Sequence, residues 1–290
     1  MREQDFPALF RAADAASNKF QARFLWLVGG EYFLLIIASV LSMQMFSGAD
    51  YNLAFAAVLL CAMVILLTRA LLKPQQDWYR CRALAESVKT LTWRYVMRAE
   101  PFNGTVSDAT PRQHFRDQLH ELFQVNHGAA EKVDDEWSAD DQITAAMEEV
   151  HALSVSDRIE KYLHGRIRSQ RRWYARKARW NRSKAITWVS IGVFSYVVAA
   201  AMAIVRVRYP QWQIWPIDPV IVIASSVIGW SQIKRYSELA VSYKLTAQEI
   251  GLITPKLDGV DSEAELSRFV NEAEQAFSRE HTMWIARQTS

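Results

Sequence analysis

Four apolar runs, grouped as two pairs, constrain this 290-residue chain more than any single motif does. Residues 24–46 pair with 53–72, and residues 185–205 pair with a weaker run over 214–233. About 20 apolar residues are needed to cross roughly 30 Å of hydrocarbon, and lipid tolerates an exposed single segment only when it is helical. The runs therefore predict an all-α membrane protein with two tandem transmembrane helical hairpins, four spans in all, and long helical extensions. The fourth span is the weakest. Its apolar core, residues 219–233, reaches only about 22 Å as a helix, so it has to begin within residues 214–218 or thin the bilayer locally. Buried helices of a soluble core are the alternative, and runs of this length occurring in pairs disfavour them.

Composition agrees, because 50% of the residues are hydrophobic and yet 22% are charged, which divides the chain into lipid-facing and solvated parts. The first twenty residues are polar and mixed in charge, so they do not read as a cleavable signal. They predict an amphipathic helix over residues 1–22 with Phe6, Leu9, Phe10, Ala13 and Phe20 on one side. Cys61 and Cys81 offer neither a metal spacing nor a CxxC pair and read as free thiols.

Lys and Arg set the expected orientation. Residues 1–23 carry four, the turn at 47–52 none, residues 73–184 twenty, the second turn two (Arg206 and Arg208), and residues 234–290 seven. The positive-inside rule then puts both termini and the long middle segment in the cytoplasm.

An internal repeat makes the hairpins equivalent modules. At an offset of 155, Arg80, Leu84, Ala85, Ser87 and Lys89 match Arg235, Leu239, Ala240, Ser242 and Lys244. Both segments carry apolar or small residues at spacings of three and four: Trp78, Cys81, Ala85, Val88, Thr92 and Tyr95, then Tyr236, Leu239, Tyr243, Thr246, Ile250 and Ile253. That seam predicts that the second helix of each hairpin continues beyond the membrane and packs in coiled-coil fashion on a neighbour, either the other repeat or another subunit. Further helices are expected over 113–125, 140–153, from 156 through 184 into the third span, and after a Ser262 to Glu265 capping box. The domains are therefore read as 1–22, a first hairpin and helix over 23–102, a helical linker over 103–155, and a second hairpin domain over 156–290.

At Trp78-Tyr79-Arg80-Cys81-Arg82-Ala83-Leu84-Ala85-Glu86-Ser87-Val88-Lys89, continuing to Trp93 and closing in Glu100-Pro101-Phe102, the chain resembles the SLATT family. These are the two-transmembrane effector domains associated with SMODS nucleotidyltransferases and SLOG sensors in bacteria. A second such stretch starts at Gln170-Arg171-Arg172-Trp173-Tyr174 and closes over Glu274-Gln275-Ala276-Phe277-Ser278-Arg279-Glu280-His281-Thr282-Met283-Trp284. The resemblance implies a non-enzymatic, pore-forming or membrane-perturbing effector of a nucleotide-signal-linked antiphage defence system, in the inner membrane. It marks Trp78, Arg80, Glu86, Lys89, Trp93, Ser278, Glu280, His281 and Trp284 as family-motif positions. With no sensor or nucleotide-synthesising segment visible here, activation is expected from a nucleotide signal or from a nucleotidyltransferase or sensor partner.

Individual residues carry narrower expectations. Glu31 lies 18.5 residues before the centre of the first hairpin and Arg69 lies 19.5 after it, so both sit at one depth near the membrane boundary. An interhelical ion pair that locks the hairpin and a pore-lining carboxylate both fit. The second hairpin has Ile186 and Ala224 at the corresponding positions and lacks the pair. Arg171, Arg172, Trp173, Tyr174, Arg176, Lys177, Arg179, Trp180, Arg182 and Lys184 precede the third span. Basic residues interleaved with aromatics suit nucleic acid, but their position favours anchoring at anionic headgroups, so no nucleic acid is expected. Ser225 with Gly229, and Ala199 with Ala203, have the small-xxx-small spacing of helix packing. Ser190, Ser195, Ser225 and Ser226 could instead wet a pore. The six histidines show no ligand spacing, and no nucleophile with a base, no metal cluster and no phosphate-binding glycine loop is legible. No catalytic site, cofactor or metal is expected. Four spans with few polar faces cannot enclose a conduit alone, so a homo-oligomer in the lipid bilayer is expected. The rival is a non-conducting membrane-anchored scaffold or sensor whose helices bind protein partners.

Overall fold

The computed structural model describes residues 1–46, 48–103, 110–134, 141–212 and 214–289, with side chains through residue 277. Among these residues every regular element is helical. They divide into two compact units, a polar one built from Met1–Gln21, Pro74–Ala175 and Lys244–Ser290, and an apolar one built from Ala22–Lys73 and Arg176–Tyr243.

Helix α1 (Ala8–Leu41) fuses the expected amphipathic segment and the first span into one element. Its beginning is core: Phe6, in the turn before it, and Leu9, Phe10 and Ala13 are buried in the polar unit. The helix ends at Leu41, five residues short of the run read from sequence. Helix α2 (Ala49–Leu72) supplies the second apolar run. It stops at Lys73, which takes left-handed φ and ψ of 43° and 48° and donates its N–H to the Arg69 carbonyl. Pro74 follows, lacks an N–H and disfavours helical conformation in the residue before it. The second helix of the hairpin therefore does not run on unbroken; α3 (Pro74–Val96) begins as a separate element.

The second hairpin repeats the device. α9 (Ile217–Lys234) ends at Arg235, again left-handed, with φ and ψ of 47° and 39°, and α10 (Tyr236–Ile253) follows. No Pro or Gly explains this second break. Positions 73 and 235 are 162 apart, not 155, so the structural breaks are displaced by one heptad from the sequence repeat. Seven residues are close to two helical turns, so each face keeps its direction. Leu84 and Val88 are buried in the first copy, and Thr246 and Ile250, 162 positions later, in the second.

In the polar unit α3 packs chiefly on α11 (Glu263–Thr289), with α4 (Pro111–Val125), α5 (His127–Ala130) and α6 (Ala145–Ala152) around it. The neighbour of the first seam is thus the last helix of the same chain. α4 starts as its sequence suggests, with Thr110 Oγ1 accepting the Gln113 N–H at 3.3 Å and Pro111 in the first turn. The helix expected over 140–153 spans 145–152; its first residue, Asp140, lies outside the described residues. α7 (Val155–Tyr162) passes through a π-helical turn (Leu163–Ile167) into α8 (Arg168–Arg208). The capping box opens α11 as expected, Ser262 Oγ donating to Glu265 Oε2 at 3.0 Å and accepting the Glu265 N–H.

Three helical stretches, Ala8–Leu41, Ala49–Val96 (counted through the Lys73 break) and Val155–Arg208, are long and apolar enough to cross a membrane. α9 is not among them. It begins at Ile217 instead of 214, after Pro216, and its 18 residues include Asp218 and Lys234.

Candidate functional site

In the apolar unit α1 and α2 bring Glu31 and Arg69 to 3.1 Å, Oε2 to Nη2, with side-chain exposures of 15% and 26%. The contact has ion-pair distance without hydrogen-bond alignment, and Oε2 is sealed from solvent with no donor among the described residues. Arg69 occupies the last turn of α2, where the helix carbonyl ends favour a cation. Close packing supports the pair: a Cβ on Gly30 would meet Ile65 at 3.5 Å, and one on Gly29 would meet Trp230 at 4.0 Å. At the corresponding positions of the second hairpin, Ile186 is exposed and Ala224 buried.

The two small-residue pairs are split. Ala199 is buried and Ala203 exposed; Ser225 is exposed, while Gly229 is where Tyr32 of α1 reaches α9, so close that a Cβ there would overlap its hydroxyl. Gly192, which the spacing argument missed, faces Val227 and Ile228 across α8 and α9. Ser195 is buried, its hydroxyl donating to the Ile191 carbonyl at 2.9 Å.

The strongest polar centre lies in the polar unit, at residues that sequence reasoning did not single out as a site. Arg166 and Glu274 are 2% and 0% exposed and pair in a bidentate fork, Nε to Oε1 at 2.9 Å and Nη2 to Oε2 at 2.7 Å. Tyr162 Oη donates to Oε1 at 2.9 Å and Thr90 Oγ1 to Oε2 at 3.1 Å. The Arg166 guanidinium lies 4.8 Å from the Phe277 ring, and its Nη1 has no acceptor among the described residues. The π-helical turn contains Arg166, and such turns re-aim side chains by adding a residue to the helical repeat. Trp93 covers it, 5.6 Å from Tyr162 and 3.1 Å from where a Gly165 Cβ would stand. Burial followed by the Glu274 charge pushes the Tyr162 hydroxyl well above its usual value. Burial alone would lower Arg166, but Glu274 outweighs it and holds the guanidinium charged. One sequence signal pointed here: Glu274 is an acid beside the apolar stripe Leu266, Phe269, Val270, Ala273 and Phe277.

Three of the family-motif positions on α3, Glu86, Lys89 and Trp93, lie around this centre. Glu86 holds Arg82 at 2.6 Å and Lys89 at 3.8 Å, and Arg82 reaches Asp14 of α1 at 2.8 Å. Burial lowers Lys89, with Glu86 opposing. Trp93 also packs edge-on to Phe6 at 6.4 Å. Arg80 lies over Gly128 and 3.9 Å from Asp77, and Trp78 lies tilted against Tyr79 at 4.6 Å. The side chains of Ser278, Glu280, His281 and Trp284 lie outside the described residues.

A second polar cluster joins α6 to its surroundings. Arg158, fully buried, donates to the Met97 carbonyl at 2.7 Å, to Leu153 O at 3.2 Å and to Glu263. Tyr95 Oη donates to Glu148 at 2.7 Å, Arg112 pairs with the same carboxylate at 2.9 Å, and His151 stacks on Tyr95 at 4.7 Å while donating Nδ1–H to its carbonyl. Burial would raise Glu148, but the hydrogen bonds from Arg112 and Tyr95 hold it below the usual carboxylate range. Burial lowers His151. These groups tie backbone to side chain. Cys81 is a free thiol pushed up to about 11 by burial, a value that suppresses the thiolate. Among the described residues no three His, Cys, Asp or Glu side chains could hold a metal ion.

The basic and aromatic segment runs along the first half of α8. Arg171, Arg172, Arg176, Lys177, Arg179, Trp180 and Arg182 are exposed, and Trp173, Tyr174 and Lys184 half-buried. Trp173 meets Tyr174 edge to face at 5.0 Å.

Residues 7–159 match the family model described as SMODS and SLOG-associating 2TM effector domain 3, and residues 162–284 match effector domain 1 of the same series. No curated protein and no solved structure matches the chain. Both matches contribute to both compact units, so neither is a compact body by itself: α3 of the first packs on α11 of the second, and Tyr32 of the first on Gly229 of the second. With tandem matches covering nearly its whole length, this chain belongs to the SLATT family of two-transmembrane effector domains.

Proposed function

We propose that the chain is a pore-forming or membrane-perturbing effector of a bacterial defence system, in which Glu31 and Arg69 hold the first hairpin in a non-conducting state. The observation that carries this reading is the 3.1 Å pair itself, an ionisable couple within helices that expose Trp26, Phe33, Leu60, Val64 and Leu67. Charges at membrane depth are costly and pair with one another or mark an ion pathway. A lock built from such a pair opens when a conformational change separates it. The family supports an effector role linked to a nucleotide-type signal or a nucleotidyltransferase or sensor partner acting on the polar unit. α9 acts as the fourth span, both termini are cytoplasmic, and several copies assemble in the inner membrane, since one copy offers too few polar faces for a conduit.

The test is release of a self-quenched dye from vesicles containing the purified full chain. Glu31→Gln and Arg69→Gln should each raise basal release several-fold, and the charge-swapped double variant should return it towards the starting value. Absence of release from every variant, with reconstitution verified, contradicts the proposal and leaves the membrane-anchored scaffold that binds protein partners.

A further inference from the structure

Beside the Arg235 break, the apolar unit gathers ammonium groups on indole rings. Lys177 Nζ and Lys184 Nζ, seven residues apart on α8, lie 5.6 Å and 5.9 Å from the same Trp180 ring. Trp180, 49% exposed, meets Tyr236 of α10 at 5.9 Å. On α9, Lys234 Nζ lies 5.6 Å over Trp230, whose ring meets Trp188 of α8 at 6.3 Å. The two helices thus present three ammonium groups on two indoles at one end of the hairpin.

Residues 176–243 contain nine Lys or Arg and two acids, Asp218 and Glu238. Seven of the nine cations fall in 176–184 and 234–235. Asp218 starts α9 at its other end, and Glu238 pairs with Arg235 at 3.7 Å. Neither Lys184 nor Lys234 has an ion pair among the described residues. Lys184 and Lys234 therefore keep ammonium charges that a nearby anion would offset.

We propose that Lys184 and Lys234, framed by Trp180, Trp230 and Tyr236, bind the phosphate of an anionic phospholipid headgroup. The assignment rests on the membrane reading above but not on conduction. Lipid is the favoured source of the phosphate because the cluster sits where α8 and α9 turn from polar to apolar residues, the depth at which Trp and Tyr rings settle and basic residues meet headgroups.

Native mass spectrometry of the full chain in detergent, titrated with phosphatidylglycerol or phosphatidylcholine, tests the site. Retention of phosphatidylglycerol over phosphatidylcholine is expected. Lys184→Ala/Lys234→Ala should weaken it about tenfold or more, Lys184→Arg/Lys234→Arg should keep most of it, and Arg206→Ala/Arg208→Ala should leave it unchanged. Circular dichroism of each variant confirms folding. Equal loss in the Arg206/Arg208 variant, no preference over phosphatidylcholine, or displacement by millimolar inorganic phosphate would overturn the lipid assignment. Dye release can fail in every variant while this preference persists, so the two proposals fail separately.

Discussion

Glu274 on α11 and Arg166 in the π-helical turn form a charge pair whose two side chains are almost wholly removed from solvent, with both carboxylate oxygens engaged. The pair ties the last helix of the second family match to the core that α3 of the first match organises. Removing one partner of such a pair strands the other, whereas replacing both with apolar groups can be nearly neutral.

Glu274→Gln should therefore destabilise the polar unit by about 3–5 kcal/mol, because Arg166 keeps its charge and loses its counter-ion. Glu274→Leu with Arg166→Met should recover most of that loss. Chemical unfolding of Glu274→Gln, and of Glu274→Leu, Arg166→Met and their combination read as a double-mutant cycle, checks both statements. Equal destabilisation by the single and double changes would show that the pair is not the determining contact.

Gly229→Ala should disturb the apolar unit by about 1–3 kcal/mol, since the added methyl overlaps the Tyr32 hydroxyl. Adding Tyr32→Phe removes the closest atom and should restore most of the loss. The thermal midpoint in detergent reports the effect; a neutral Gly229→Ala would mean that α1 and α9 do not approach this closely.

His151 gives the polar unit a pH dependence of defined sign. Burial holds its folded pKa below the ordinary value of 6.5, so the unfolded chain binds the proton more readily. Its contribution is complete above 6.5 and is lost as pH falls towards and through the depressed value. Glu148, held below 4.5, adds a loss of the same sign only at lower pH. The unfolding temperature should therefore drop between pH 7 and 5, and His151→Asn, which keeps a donor for the Tyr95 carbonyl, should flatten that drop.

Much of this architecture is legible in sequence because it is periodic and local. Hydropathy located the apolar helices, the spacing of Phe6, Leu9, Phe10 and Ala13 marked a buried face, and hairpin geometry put Glu31 level with Arg69. What escaped reading depends on contacts distant along the chain or on backbone detail without a residue signature. The partner of Thr90 is 184 positions away, so the interleaving of the two family matches leaves no local trace. Pro74 announces the break at Lys73, but nothing near Arg235 announces the second. The π-helical turn that contains Arg166 sits in residues that read as ordinary helix.

The most direct test of the account is the current across a planar bilayer into which the purified full chain has been inserted. The account predicts few conductance steps from the starting protein and frequent discrete steps from Glu31→Gln and Arg69→Gln, because either change opens the lock. A current that stays flat at every voltage in both variants, with insertion verified, would contradict it.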